Sequence, residues 1–540
     1  MYIKKLLIQN YKRFKFIEID MNPDTNIFVG ENDSGKTTIL EALIMVLTGK
    51  INGAPILSRL NADWFNNEVR NQYIAGLENG QHVEPPCIMI EACIDGLTDA
   101  DLKIKNYRGA NNFHREDAVG IRIIIALNEE YSATYKDLVA AKKVADIPVE
   151  LYKISFFTFA GPDYYINATT KKVACIDTTR KDYGTALNRF VSSSISDYLT
   201  DDEQTQLRLA YRGNRHDFTQ SEAVKSLNQK IQENHQFGNH SISINLREND
   251  IDSWKSEMSV SVDSIPLENV GFGTQNMFKS EIFIQQNPTV DILVMEEPEN
   301  NLSHTNMSIL VSKLARNTGK QLFVSTHSSF VANKLGLNHL HLVGNGIVIP
   351  LSNLEQDTYN YFLKLPGYNT LRLLLANNVI LVEGPADELI VQRAYHDEYG
   401  RLPIEDGIDV IAVGGVAFKR YCELAMLIEK KVSIITDNDN NASEVKLRYA
   451  KFGDMVALFI DEDNDHNTLE PSVFAANAHQ FETFRDIVYH GAGKDKITPD
   501  QLQSFMTKNK TEWSMRVFQS EFNISYPIHI RRAIGCVDDE

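Results

Sequence analysis

Apolar and polar residues alternate through Ile3-Lys-Lys-Leu-Leu-Ile-Gln-Asn-Tyr11 and Phe14-Lys-Phe-Ile-Glu-Ile19, which predicts two strands joined by a turn at Lys12-Arg13. Asn26-Ile-Phe-Val-Gly30 predicts a third strand. A helix is expected to start within Ser34 to Thr38, with Ile39, Leu40, Ala42, Leu43 and Leu47 on its apolar side. From about Arg180 to Phe237 the chain becomes rich in Gln, Ser, Asn and Asp with helical periodicity, as in Ser221-Glu-Ala-Val-Lys-Ser-Leu-Asn-Gln-Lys-Ile-Gln, and this predicts a helical insertion. Strand patterns return at Ser241 to Leu246 and Met258 to Val262. Helix and strand are then expected to alternate to the end, as in parallel α/β sheets. Val379-Ile-Leu-Val382 and Val432-Ser-Ile-Ile435 are short enough to be buried strands, and each runs into acids. A boundary near Tyr368 to Ala376 divides the chain into residues 1–370 and 376–540.

A length of 540 residues exceeds one ordinary core, so more than one domain is expected. With 43% hydrophobic and 23% charged residues, no long apolar run and no basic leader ahead of an apolar stretch, the expected protein is soluble and cytoplasmic, with no membrane partner. The five cysteines are scattered and never form a CxxC pair, which argues against a disulfide framework and a zinc site. The net charge of −18 disfavours indiscriminate binding to polyanions. A nucleic-acid partner would therefore need local basic patches or metal-neutralised acids.

Gly30-Glu-Asn-Asp-Ser-Gly35-Lys36-Thr37 follows a strand and opens a helix, the setting of a phosphate-binding P-loop. Gly30, Asn32, Gly35, Lys36, Thr37 and Thr38 are the candidate ATP-binding set. Backbone N–H groups and Lys36 meet the phosphates, and the Thr37 hydroxyl ligates Mg²⁺. Asp291-Ile-Leu-Val-Met-Glu296-Glu297-Pro is a buried strand tipped by two acids, a Walker B arrangement with Glu where most such ATPases have Asp. Glu296 is expected to serve the metal and Glu297 to polarise the attacking water. Gly271-Phe-Gly273-Thr-Gln275 precedes that strand; Asn300 to His304 and Gln321-Leu-Phe-Val-Ser-Thr-His327 follow it.

This order resembles the ATPase heads of the structural-maintenance-of-chromosomes superfamily. It implies a signature loop carrying Gly273 and Gln275, a D-loop at Asn300 to His304 and a switch histidine at His327. In such ABC-type heads one subunit's signature loop completes the other's nucleotide site, so a homodimer or higher oligomer is implied. The insertion at about 180–237 is then a candidate dimerisation element.

Glu383, at the end of the first acid-tipped strand, and Asp437-x-Asp439, at the end of the second, gather carboxylates at the sheet edge where open α/β sheets hold ligands. Residues two apart on a strand share a face, so Asp437 and Asp439 are expected to point into one metal site, with Asp387 adding a further ligand. Such acids repel one another without cations; two Mg²⁺ or Mn²⁺ ions would relieve that and support phosphodiester hydrolysis. The spacing resembles a Toprim fold, with Ile411-Ala-Val-Gly-Gly415 as its flanking strand and glycine turn.

An ABC-type head followed by a Toprim domain resembles the overcoming-lysogenization-defect (OLD) nucleases across essentially the whole chain. The resemblance implies an α/β protein with two parts: an ABC/SMC-like P-loop ATPase domain containing a helical insertion, then a Toprim α/β domain. It further implies ATP use, metal-dependent DNA cleavage, a role in anti-phage defence with a possible partner protein, a metal ligand at Glu470 and a transition-state lysine at Lys510. An RNA substrate, and a DNA-sensing or repair ATPase with a silent Toprim domain, stay open, as do the direction of ATP coupling and the position of the Q-loop. The run Asp461 to Asp465 is expected to be a solvated loop, His466 and His490 surface or capping residues, and the basic residues of Lys12-Arg13-Phe14-Lys15 the decoration of a turn in preference to a DNA contact.

Overall fold

The N-terminal alternation folds as expected. In the computed structural model Tyr2–Tyr11 pairs antiparallel with Phe14–Asp20 on one side and Ile88–Asp95 on the other. Ala118–Leu127, Tyr152–Thr158 and Gly161–Asp163 extend this into a seven-stranded sheet, with Arg108–Gly109 paired off the main path. The structure describes residues 2–30, 32–81, 83–96, 106–163, 172–177, 199–234, 242–245, 254, 260–285, 290–316, 319–344, 346–364, 372–373, 376, 378–415, 417–491 and 494–536.

A six-stranded sheet lies behind the first. Its order is Lys172–Asp177, Val290–Glu296, Gln321–Thr326, Thr25–Val29, Leu340–Gly344 and Ile347–Pro350, parallel except for the last strand. Its strands alternate between two cores. Phe28, Ile292, Val294 and Phe323 join the P-loop helix Lys36–Thr48 and the antiparallel sheet, while Ile27, Val29, Leu293, Met295, Leu322 and Val324 face the opposite way. Burial on both faces explains why these strands read as continuous apolar runs.

That second core does not stop at the six-stranded sheet. It continues through Leu351, Leu354, Phe362 and Leu373 into Val379, Leu381, Ile411, Phe418, Tyr421 and Ile434 of the C-terminal part. The helix Gln356–Lys364 carries the junction: the Phe362 and Tyr421 rings meet edge-on with centroids 5.3 Å apart, and Thr358 donates to Glu423. Arg372 adds bonds to Asp409 and Val410 O.

The C-terminal sheet is four-stranded and parallel, ordered Ile408–Ala412, Asn378–Val382, Val432–Ile435 and Val456–Phe459. Val379 and Leu381 point to the shared core; Ile380 and Val382 point to a separate one built with Pro385–Tyr399 and the final helices. Here the expected alternation of helix and strand to the chain end is corrected. After Phe459 the described residues form only helices, among them Leu469–Ala476, Phe481–Val488, Pro499–Lys508, Lys510–Gln519 and Ile528–Ala533. Trp513, Leu502, Met506 and Val473, each no more than 1% exposed, fill the sheet's outer face, so helices cover it without further strands.

Within the expected insertion, Asp201–Thr219 and Glu222–Asn234 are helices, the first opened by a capping box between Thr200 and Glu203. Residues 180–198 and 235–237 lie outside the described residues, as does most of the expected boundary. No strand forms at 242–245, the described part of the strand expected at Ser241 to Leu246. Of the strand expected at Met258 to Val262, residues 260–262 are described, and Ser261–Val262 is a strand in a small hairpin with Ile265–Pro266.

Candidate functional sites: a phosphate cavity and an acid cluster

The strand Thr25–Val29 delivers Gly30 to a spot where a Cβ would sit 2.1 Å from the Val343 carbonyl oxygen, so only glycine fits. Gly35 caps the following helix at φ 112°, a left-handed conformation that also needs glycine. Between them the loop bounds a cavity of about 470 Å³ lined by Asn32, Asp33, Ser34, Gly35, Lys36, Thr37 and Thr38. Lys36 is 5% exposed and donates from Nζ to Gly30 O at 3.0 Å. Burial lowers its ammonium below the ordinary value, against the fields of Glu297, Glu296, Glu299 and Asp33. Thr37 Oγ1 donates to the Glu296 carboxylate, so the two expected Mg²⁺ oxygens meet beside the phosphate loop.

Adjacent strand residues face opposite sides, so Glu296 and Glu297 could not serve one site from a continuous strand. The chain resolves this at Glu297. Its φ of 44° breaks the strand, and its carboxylate turns toward the cavity, 3.3 Å from His327 Nε2 and 2.7 Å from Asn300 Nδ2. Glu297 and His327 both line the cavity. Gly273 and Gln275 do not line it. A Cβ on Gly273 would sit 2.4 Å from Asn301 O, and the buried Gln275 amide donates to Val270 O at 2.9 Å and Glu268 O at 3.4 Å. The structure therefore turns Gln275's side chain, in the first turn of the helix Phe272–Gln285, back onto the segment that precedes that helix.

Lys12 and Arg13 stand on the expected turn, and that turn also lines the phosphate cavity, with Asp63 and Asn67. Asn66 holds that turn in place, its amide donating to Lys12 O at 2.9 Å and Arg13 O at 3.2 Å. Lys12 pairs with Glu41. The hairpin pattern located the turn in sequence but not its position over the P-loop.

In the C-terminal sheet Glu383 follows Asn378–Val382, and the glycine turn closes over it: Gly414 N donates to Glu383 O at 2.9 Å, and a Cβ on Gly415 would sit 2.8 Å from Glu383 Oε1. Asp387, in the first turn of Pro385–Tyr399, accepts from Gly384 N at 3.0 Å. Glu470, fully buried, accepts from Thr468 Oγ1 at 3.0 Å and pairs with Lys510 Nζ at 3.1 Å. These residues lie far apart in sequence yet share one electrostatic neighbourhood. Burial, then Glu383 and Asp387, push the Asp437 carboxyl up to about 8. Burial, then Glu383, raise Asp387 to about 6. Burial, with Asp439 and Glu470, also raises Glu383, which accepts the Asp437 N–H. Burial lowers the Lys510 ammonium, but Glu470, Asp437 and Asp387 outweigh it and hold it above its ordinary value.

The expectation that Asp437 and Asp439 share a strand face is corrected. The strand ends at Ile435, and Asp439 sits in a turn at φ 51°, exposed, with Arg448 3.6 Å away. Its field still reaches Glu383. Between them, Asn438 is 1% exposed and fixes the turn by donating to Asp461 O at 3.0 Å and Asp463 O at 2.8 Å. Asp461 is likewise no solvated residue: its carboxylate accepts from Ser472 at 2.5 Å and lies 3.5 Å from His466 and 4.0 Å from buried His529. These residues enclose a space of about 10 Å³ beside Asp387 and Asp437, room for roughly one water. Burial lowers the His529 imidazole to about 4, so it is neutral there. Nothing local in the sequence marked Asn438, Asp461 or His529, because their contacts span separate elements.

Carboxylate oxygens are the ligands of hard divalent cations, and acids raised to about 6 and about 8 by burial and by one another, with Lys510 offsetting only part, suit the positive charge that such a cation would supply. The donor set of Glu383, Asp387, Asp437 and Glu470 fits Mg²⁺ or Mn²⁺. Among the described residues no three His, Cys, Asp or Glu side chains converge on one point, so the acids share a field but not a formed cage.

Comparison with known proteins agrees with this division. The AAA ATPase domain family matches residues 1–143 and 164–332, and the overcoming lysogenization defect protein-like TOPRIM domain matches residues 374–439. DNA replication and repair protein RecF of Listeria welshimeri is 34% identical over 50 residues, 9% of this chain and 14% of that protein. RecF of Lactobacillus acidophilus is 44% identical over 43 residues, 8% and 12%. The chain thus spans about 14% of the length of the first of these relatives. Among solved structures, the SMC head domain from Thermotoga maritima aligns with TM-score 0.31 and 15% identity over 65% of this chain and 99% of that one. The C-terminal region of the Burkholderia pseudomallei OLD protein aligns with TM-score 0.24 and 19% identity over 30% and 96%. Among the described residues no helix is long and apolar enough to cross a membrane.

Proposed function

The chain belongs to the AAA ATPase domain family and carries a C-terminal OLD-like TOPRIM domain; from that premise we propose that it is an ATP-hydrolysing, metal-dependent endonuclease that cleaves DNA in defence against phage, working as a homodimer or higher oligomer. One observation carries the nuclease half. Lys510 and Glu470, 40 positions apart and on separate helices, form an ion pair whose charges reach Asp387 in a helix's first turn and Asp437 beyond a strand end. A lone acidic turn would not assemble a buried glutamate, a lysine and two perturbed aspartates from four separate elements.

Divalent cations bound there would activate water and neutralise charge on the phosphodiester. The chain's own residues do the rest. Glu383, Asp387, Asp437 and Glu470 would hold the metal, with Asp439 at the open rim. Lys510, half-exposed beside Glu470, faces developing negative charge on the phosphate. In the ATPase half Lys36 and the loop amides hold phosphates, Thr37 and Glu296 serve Mg²⁺, and Glu297 polarises water beside His327. Gly273 and the second copy's cavity would meet across a dimer, with residues 180–237 as a contact element.

The test incubates purified protein with supercoiled plasmid, linear DNA and RNA, with Mg²⁺ or Mn²⁺, with and without ATP. Nicking or cleavage of DNA in metal only is expected. Cleavage confined to RNA would move the substrate, and no cleavage of either, with ATP turnover intact, would favour a DNA-sensing ATPase with a silent TOPRIM domain.

A further inference from the structure

Two residues beyond the Walker B glutamate stands an acid that the nucleotide chemistry does not use. Glu299 turns back from Pro298 onto the end of the strand Gln321–Thr326. Its Oε1 accepts from the Thr326 hydroxyl at 2.6 Å, His327 N at 2.9 Å and Ser328 N at 3.1 Å. Its Oε2 is buried with no hydrogen-bond partner among the described residues, so among them the carboxylate's hydrogen bonds are these three. The neighbouring helix Ser329–Leu335 does not need it as a cap, because the Ser328 hydroxyl already accepts from Val331 N. What the three bonds fix is the backbone that carries His327, whose ring stands 3.3 Å from Glu297.

We infer that Glu299 is a positioning residue for ATP turnover: its carboxylate clasps Thr326, His327 and Ser328 and so sets His327 against Glu297. The inference rests on the reading of the cavity as an ATP-hydrolysing site. Three donors on one oxygen, with Ser328 N also donating to Thr326 Oγ1 at 2.9 Å, tie down the loop that ends the strand. A side chain displaced by an ångström costs catalysis far more than it costs binding.

The test compares steady-state ATP hydrolysis by full-length wild type, Glu299→Ala, Glu299→Gln, Glu299→Asp, His327→Ala and Glu299→Ala/His327→Ala, with Lys36→Ala as control. Glu299→Ala is expected to lower kcat on the order of 10- to 100-fold with KM for ATP within about threefold. Glu299→Gln keeps an acceptor at the same reach and is expected to retain kcat within about fivefold of wild type. Glu299→Asp keeps the charge but withdraws the acceptor, and is expected to lose activity as Ala does. The double variant should be no slower than His327→Ala by more than about twofold, since both remove one interaction. Should Glu299→Ala fail to fold, the Gln and Asp pair still decides. Wild-type kcat in Glu299→Ala, Asp outperforming Gln, or losses that multiply in the double variant would each overturn the inference. Turnover that survives Lys36→Ala would instead overturn the reading of the cavity itself.

Discussion

Asp437 shows how far the fold moves a single group. Its carboxyl, ordinarily near 3.8, is held at about 8 by burial and by Glu383 and Asp387. A carboxyl raised in this way keeps its proton in the folded chain after the unfolded chain has released it, so between those values the folded state binds more protons and loses stability as pH rises. The metal-free protein is therefore expected to melt at progressively lower temperature from about pH 4 to about pH 8. Asp437→Asn should flatten that decline and raise the melting temperature at the alkaline end, and Mg²⁺ should do the same for wild type. Thermal melts in chelator and in Mg²⁺ check this; a steeper decline in Asp437→Asn would contradict it. At the other site Lys36→Ala removes the one ammonium inside the phosphate loop and should weaken ATP binding by about 10²-fold or more, measured by titration calorimetry.

Elements were legible in sequence where local chemistry dictates them. The alternation of Ile3 to Tyr11, the glycines of the P-loop and the acids after Val382 and Met295 each act within a few residues of themselves. Turns between such elements were less legible. Glu297 and Asp439 leave their strands through left-handed backbone, which alternation alone cannot foresee, and Asn438 earns its place through carbonyls more than 20 residues away. The helix Gln356–Lys364 was unread because its role is tertiary: Phe362, fully buried, packs on Tyr421 across the junction. Phe362→Ala should destabilise the protein by about 3–5 kcal/mol, seen as a lower denaturation midpoint, and should shift ATPase and TOPRIM probes together. Independent transitions of the two halves would show that the junction does not couple them.

At the scale of the whole molecule, one apolar cluster runs from the P-loop sheet to the TOPRIM sheet, so the two chemistries stand on a continuous packed scaffold. Motif order made the two halves and their sequence visible; the shared core and the helical cover after Phe459 depend on contacts no motif encodes. The separation of sites still predicts separable functions. Glu383→Ala should leave ATP turnover within about twofold of wild type while removing nuclease activity. The central claim is that the cluster of Glu383, Asp387, Asp437, Glu470 and Lys510 cuts phosphodiester bonds, and it is tested most directly by plasmid cleavage with wild type, Glu383→Ala and Lys510→Ala in Mg²⁺ or Mn²⁺ against chelator. The account predicts cleavage by wild type in metal only and loss of about 10²-fold or more in each variant; cleavage that persists in Glu383→Ala, or that proceeds undiminished in chelator, would contradict it.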